Sequence, residues 1–368
     1  MLGWRSKIFL IFLFGFKVGF AQIRFVDDET QLSVPALNIY HEKGTLIGFT
    51  DKDGVLRFLA GTEKYQTLPL SITVQHISYE DATYNLKDLH GEQVYMLNPR
   101  TNSIEDIIIQ AKPKEIIVLK GYFRSLETFD LQHKYFADGL MEFYIPVGKG
   151  KPKYRLLDYR VFRDSNVVQD YDAKMGPFFQ IARVAELHVD ALPKRLMSYQ
   201  VEDQERYRSR LLKDGIEVGH ITTRKEDGLQ MYIDLVLPDT VKKEKIFRLE
   251  ALIKNEVHVE RYSSSNVAAV SYADLQSTYQ NLVGSIKRKK ELGHVPYEGL
   301  NEFYVLERSF ISLEEYKTFE KELIRSIYKT PEKSRYSQKY WENLDEFHIP
   351  SVQSGLAEKL GKTLKLVE

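Results

Sequence analysis

The run Asp51-Lys52-Asp53-Gly54 sets two carboxylates two residues apart beside a glycine, a pattern with which a loop can surround a calcium ion with oxygen. Counting tests that chemistry. If Asp51 and Asp53 held positions 3 and 5 of the loop and Gly54 position 6, position 1 would be Phe49 and position 12 would be Ala60. Neither has a side-chain oxygen. Apolar Phe49 and Val55 instead suit strands entering and leaving a tight turn, so the run predicts a β-hairpin. A weak cation site on Asp51 and Asp53 is the alternative.

Nine histidines could serve metal or proton chemistry, but no two lie within five residues and no His-Glu-x-x-His occurs. His76, His188, His220 and His258 fall in strand-like text, where a lone imidazole reads as a sheet residue satisfied by its neighbours. A site assembled from distant residues is the other reading. There is no Gly-x-Ser-x-Gly elbow and no cysteine nucleophile. Glycines and lysines at 147–153 lack the spacing of a phosphate loop and read as a turn. The pairs Glu202-Asp203 and Glu314-Glu315 read as solvated. The sequence thus leaves any catalytic residue unidentified and predicts no cofactor and no metal. Residues 175–184 form the most apolar stretch of the later chain, and there Phe178 and Phe179 are candidates to line a pocket or face a membrane, against a plain core role.

The elements that must hold these residues read as follows. Seven short strands with turn chemistry between them occupy 22–110, the pattern of a β-sandwich. In one of them Leu37, Ile39 and His41 share a face; in another Ile72, Val74 and His76 do. Residues 111–118, around Pro113, read as a linker. From 119 to 368 the text predicts a larger antiparallel sheet followed by helices, an α+β domain. In 153–163, strict alternation puts Tyr154, Leu156, Asp158, Arg160 and Phe162 on one face and Tyr159 and Val161 on the other. Hairpin turns are expected at 130–133, Gly215 and Asp227-Gly228, and a loop at 294–300. Helices are expected at 271–292, at 312–329 with Ser312 as cap and Pro331 as stop, and in the two closing segments. The basic run Lys287-Arg288-Lys289-Lys290 would be a solvated helix end or loop.

Residues 1–21 pair a short basic region, Arg5 and Lys7, with an apolar run and small residues before Gln22, which predicts a cleaved secretory signal. Its removal takes three bases and no acid from a balance of 52 against 52, leaving a formal charge of −3. That charge offers no nucleic-acid surface. Tyr and Phe are abundant, 23 and 20, which favours strands. No later segment can span a membrane as a helix.

The sequence of 25–58, with Thr30, Val34-Pro35-Ala36, Thr50-Asp51, Gly54 and Phe58, resembles the start of a carboxypeptidase regulatory-like domain, a transthyretin-like (immunoglobulin-like) β-sandwich. The resemblance covers about 22–98 and implies a non-catalytic attachment, with no peptidase activity. Residues 103–112 resemble the segment that follows such domains in envelope proteins of some Gram-negative bacteria. The second domain resembles, at the level of fold, the curved half-barrels of periplasmic lipid and lipoprotein carriers. The expectation is an exported protein of the periplasm or outer-membrane periphery, non-catalytic, that binds or scaffolds a lipid, glycan or protein partner. A periplasmic hydrolase with a site assembled in the second domain is the alternative.

Overall fold

The computed structural model describes residues 22–87, 92–100, 115–176, 184–205, 207–223, 230–235, 241–246, 248–288, 293–326, 329–347 and 349–368. The first seven strands are β1 (Gln22–Asp27), β2 (Asn38–His41), β3 (Leu46–Thr50), β4 (Leu56–Phe58), β5 (Leu70–His76), β6 (Tyr79–Leu86) and β7 (Glu92–Leu97). β1 and β7 pair in parallel, and the others form a five-stranded sheet in the order β4-β3-β2-β5-β6. Ile23, Phe25 and Leu97 from the smaller sheet share one core with Ile39, Ile47, Ile72 and Val74 from the larger, so the two are stacked as a sandwich.

Asp51 and Gly54 make the hairpin that joins β3 and β4. Asp51 Oδ1 accepts from the Asp53 and Val55 N–H groups at 3.0 Å each, and its other oxygen accepts from Arg57 at 2.8 Å. With its lone pairs taken by the turn, Asp51 is a turn residue and not a cation ligand. Gly54 has φ +73, and a Cβ there would meet the Phe25 carbonyl oxygen at 2.5 Å. The turn is also tied to the opposite sheet, because Phe25 N–H donates to the Gly54 carbonyl.

The remaining strands are β8 (Ile116–Phe129), β9 (Gln132–Pro146), β10 (Lys153–Arg163), β11 (Gln200–Glu205), β12 (Arg208–Lys213), β13 (Ile216–Thr223), β14 (Gln230–Leu235), β15 (Lys242–Ile246), β16 (Leu249–Tyr262), β17 (Leu275–Arg288), β18 (Val295–Ile311) and β19 (Lys365–Leu366). They form one antiparallel sheet in the order β11-β12-β13-β14-β16-β17-β18-β8-β9-β10-β19, with β15 also on β16. Asp130 and Leu131, both at positive φ, turn β8 into β9 where a turn was expected, although leucine is an unusual residue for that conformation, and Asp214-Gly215 turn β12 into β13 at the expected glycine. Residues 147–150 make the turn before β10. Asp227-Gly228 lie outside the described residues.

Three long strands bend where a glycine faces a bulge. Gly121 lies opposite the irregularity at Val305/Glu307, Gly139 opposite Leu156/Tyr159, and Gly284 opposite Ile253/Asn255. In each case a Cβ would sit within 2.4 Å of a backbone oxygen on the neighbouring strand. Bulges paired with glycine are the means by which a sheet curls.

Several expectations fail here for identifiable reasons. Residues 275–288, expected as helix, are β17, a central strand buried on both faces. Apolar residues on both faces hide the alternation, and offsets of four fit either period. Residues 295–300, expected as loop, begin β18. Lys287 and Arg288 therefore end a strand. The bulge inserts a residue between Leu156 and Tyr159, so Tyr154, Leu156, Tyr159 and Val161 all join one core, and the strict alternation breaks. The expected linker ends in strand, because β8 starts at Ile116.

The helices are short. α1 (Ser165–Met175) is capped by Asp164, α2 (Leu192–Leu196) carries Pro193 in its first turn, and α4 (Ser354–Ala357) is one turn. α3 (Leu313–Phe319) has the expected Ser312 cap but ends well before Pro331. The chain leaves it to bridge Ile324 to Tyr154. The segments at 340–347 are single 3-10 turns, and β19 returns to pair with β10. Among the described residues no helix is long and apolar enough to cross a membrane.

The sandwich docks on one face of the large sheet through buried polar groups. Asn38 donates to Tyr279 Oη at 2.7 Å, Tyr40 to Glu298 at 3.2 Å, and Arg208 to the Ser33 carbonyl at 2.6 Å. Arg261, fully buried, donates to the Ile77 and Arg100 carbonyls. The opposite face carries the main core, into which Val184, Ala185, Leu187 and Leu192 pack.

Candidate functional site

Residues 184–191 form an extended strap across that second face, ending in α2. Alternation along β16 puts His258, Glu260 and Tyr262 on the strap side, because Val257 and Val259 pack with the sandwich-facing residues. The strap brings His188 to His258: the rings stack at 4.5 Å, and His188 Nε2 lies 2.6 Å from His258 Nδ1. His258 Nε2 is 2.9 Å from Thr278 Oγ1 and 3.5 Å from Glu260 Oε1. Glu260 Oε2 accepts from Arg195 of α2 and from Tyr262 Oη, while Oε1 is buried with no hydrogen-bond partner. Tyr272 Oη and Gln280 Nε2 hold the strap backbone, donating to the carbonyls of His188 at 2.8 Å and Glu186 at 2.7 Å.

Burial sets the protonation states. It lowers the His258 pKa to about 3 and that of His188 to about 4, with Arg195 adding to both, so the two rings are neutral at neutral pH. Burial alone would raise Glu260, but Arg195 and the two imidazoles hold it down to about 2. The site is thus an ionised carboxylate beside two neutral imidazoles. Thr278 and His258 stand at the distance of a nucleophile and its base. Thr278 is 0% exposed, however, so a substrate has no access to its hydroxyl.

Beside the strap, toward β9 and β10, lies a pocket of about 360 Å³. Phe143, Tyr154, Ala185 and Leu187 form its buried floor, and Lys151, Arg325 and Glu186 are on its exposed rim. A flat sheet would hold β9 and β16 roughly 19 Å apart, four strand spacings. Adjacent strap residues, Leu187 and His188, nevertheless serve the pocket and the histidine pair, as a curled sheet allows. On the sandwich side a cavity of about 50 Å³ between Arg124, Glu302 and His76 has room for little more than water.

No protein-family model and no curated protein matches this chain.

Of the histidines expected in strands, His76, His220 and His258 lie in β5, β13 and β16, whereas His188 lies on the irregular strap. The structure joins His188 and His258, which the sequence presented as lone residues. Glu260, Arg195 and Tyr272 went unread; the one available signal was His258-x-Glu260-x-Tyr262, three polar-tipped residues on one strand face. Phe178 and Phe179, the candidate pocket or membrane-facing residues, lie outside the described residues. Their neighbours Val184 and Ala185 are core.

Proposed function

We propose that the chain is an exported, non-catalytic binding and scaffold module of the cell envelope, whose pocket takes an anionic amphiphile such as a fatty acid or lipid. The observation that carries this reading is the pocket itself: about 360 Å³, with an aromatic and aliphatic floor under the two cations Lys151 and Arg325. That size falls in the range of small-molecule sites. Both cations stand exposed on the rim, where an acidic head group can reach them, although Arg325 also acts on the Glu320 carboxylate. The carboxypeptidase regulatory-like resemblance around Asp51 and Gly54 supports a non-catalytic role for the sandwich, and the apolar run at 8–16 supports export.

A dansyl-labelled fatty acid titrated into the purified chain tests the binding. Saturable 1:1 fluorescence enhancement is expected, weakened about tenfold or more by the double charge reversal Lys151→Glu, Arg325→Glu, since each exposed charge contributes up to about 1 kcal/mol. Absence of saturable binding, or a charge reversal without effect, would remove the ligand and leave the scaffold. Export is tested by N-terminal sequencing of the secreted or periplasmic protein, where Gln22 is the expected first residue.

A further inference from the structure

We propose that His188, His258 and Glu260 form a binding site for a divalent transition-metal ion of the zinc class, which fastens the strap to the sheet. One ligand atom from each of the three residues lies within 4.8 Å of the others. Two imidazoles and a carboxylate are a donor set that zinc accepts, with the fourth position left for water. Separations of about 3.3 Å between donors are needed for tetrahedral bonds of about 2.0–2.1 Å. His188 Nε2 and His258 Nδ1 now stand 2.6 Å apart, and the ligand atoms of all three residues lie within 4.8 Å of one another, so the site must adjust by several tenths of an ångström to take the ion.

The short ring-to-ring distance is a hydrogen bond, and a metal ion would take its place, with the remaining ring proton of His188 carried on Nδ1. His188 would yield the few tenths of an ångström required, because it sits on irregular, half-buried chain. His258 would bind through Nδ1 and keep Nε2–H donating to Thr278 Oγ1, the outer contact that fixes a ligand imidazole. Glu260 Oε2 is held by Arg195 and Tyr262, which leaves the completely buried Oε1 without a partner and directed at the His258 ring. A buried carboxylate oxygen left unpaired is costly, and a cation is what would satisfy it. The Arg195 charge opposes the metal, so micromolar affinity is the expectation, well short of that of a zinc finger.

The test is calorimetric titration of ZnCl₂ into the EDTA-stripped, tag-free mature chain at pH 7.5, with CoCl₂ absorption as a second readout. One zinc ion per chain is expected, together with the visible ligand-field bands of tetrahedral cobalt and a metal-dependent rise in Tm. His188→Ala, on the strap and the variant least able to disturb folding, should weaken binding by about 100-fold and abolish the cobalt spectrum; Glu260→Gln should weaken it by about tenfold or more. His294, 3.2 Å from Glu250, is the control for adventitious surface binding. No heat at millimolar zinc, or binding unchanged in His188→Ala, or binding lost only in His294→Ala, would overturn the proposal.

Discussion

Replacing Glu298 with glutamine should stabilise the protein at pH 8 and change it far less at pH 5. Glu298 lies in β18 beneath the docked sandwich, 2% exposed, with Tyr40 Oη donating to it at 3.2 Å. Burial pushes its carboxyl up to about 7 from 4.5, although hydrogen bonds from Tyr40 and Asn281 pull part of the way back. Its folded pKa is therefore above its unfolded one. Between pH 4.5 and about 7 the native state holds a proton that the unfolded chain has lost, so this contribution is complete below 4.5 and falls away as pH rises through 7. The gap corresponds to about 3 kcal/mol, an upper figure because the neutral amide also rearranges its hydrogen bonds. Urea unfolding of both proteins from pH 5 to pH 8, followed by intrinsic fluorescence, isolates the effect. His76 and His133, held neutral by burial, lose stability in the opposite direction below their ordinary 6.5, but they are common to both proteins and cancel in the difference. The stability of Glu298→Gln relative to wild type should climb across this range and level off above pH 7. A difference that stays flat, or that falls with pH, would refute the reasoning.

Four other outcomes are expected. Gly54→Ala forces a Cβ into positive φ and against the Phe25 carbonyl, so thermal or urea unfolding should show a loss of about 2 kcal/mol or more. Arg261→Ala removes a fully buried guanidinium from the Ile77 and Arg100 carbonyls. It should cost about 3 kcal/mol and split unfolding into separate sandwich and sheet transitions; a single transition at unchanged midpoint would contradict the docking role. Millimolar CaCl₂ should leave Tm unmoved, whereas Asp51→Ala should lower stability by about 1–2 kcal/mol through the freed turn N–H groups.

What could be read from the sequence was local. Turns at Asp51-Gly54 and Gly215 were legible because positive φ favours glycine, the turn at 130–133 because it separates two strand-like runs, and the alternation of Ile72 and Val74 because one face of β5 is core and the other is not. β17 was not, since sandwich and strap bury both its faces and erase the period of two. The phase of β10 was lost at a bulge whose one marker, Gly139, lies on the neighbouring strand and not in β10 itself. The histidine site was invisible for a different reason. His188 and His258 are 70 residues apart, and only the path of the strap, held by Gln280 and Tyr272 to backbone carbonyls, makes them neighbours.

The three glycine–bulge pairs have a mechanical consequence. Because the bends are written into the backbone at Gly121, Gly139 and Gly284, the curvature of the sheet does not depend on anything it encloses. Flattening the sheet would have to undo those bulges, whatever lies against its faces. Residues 184–191, seated on its inner face through Val184, Ala185 and Leu187, then inherit their path from a backbone frame fixed on the neighbouring strands.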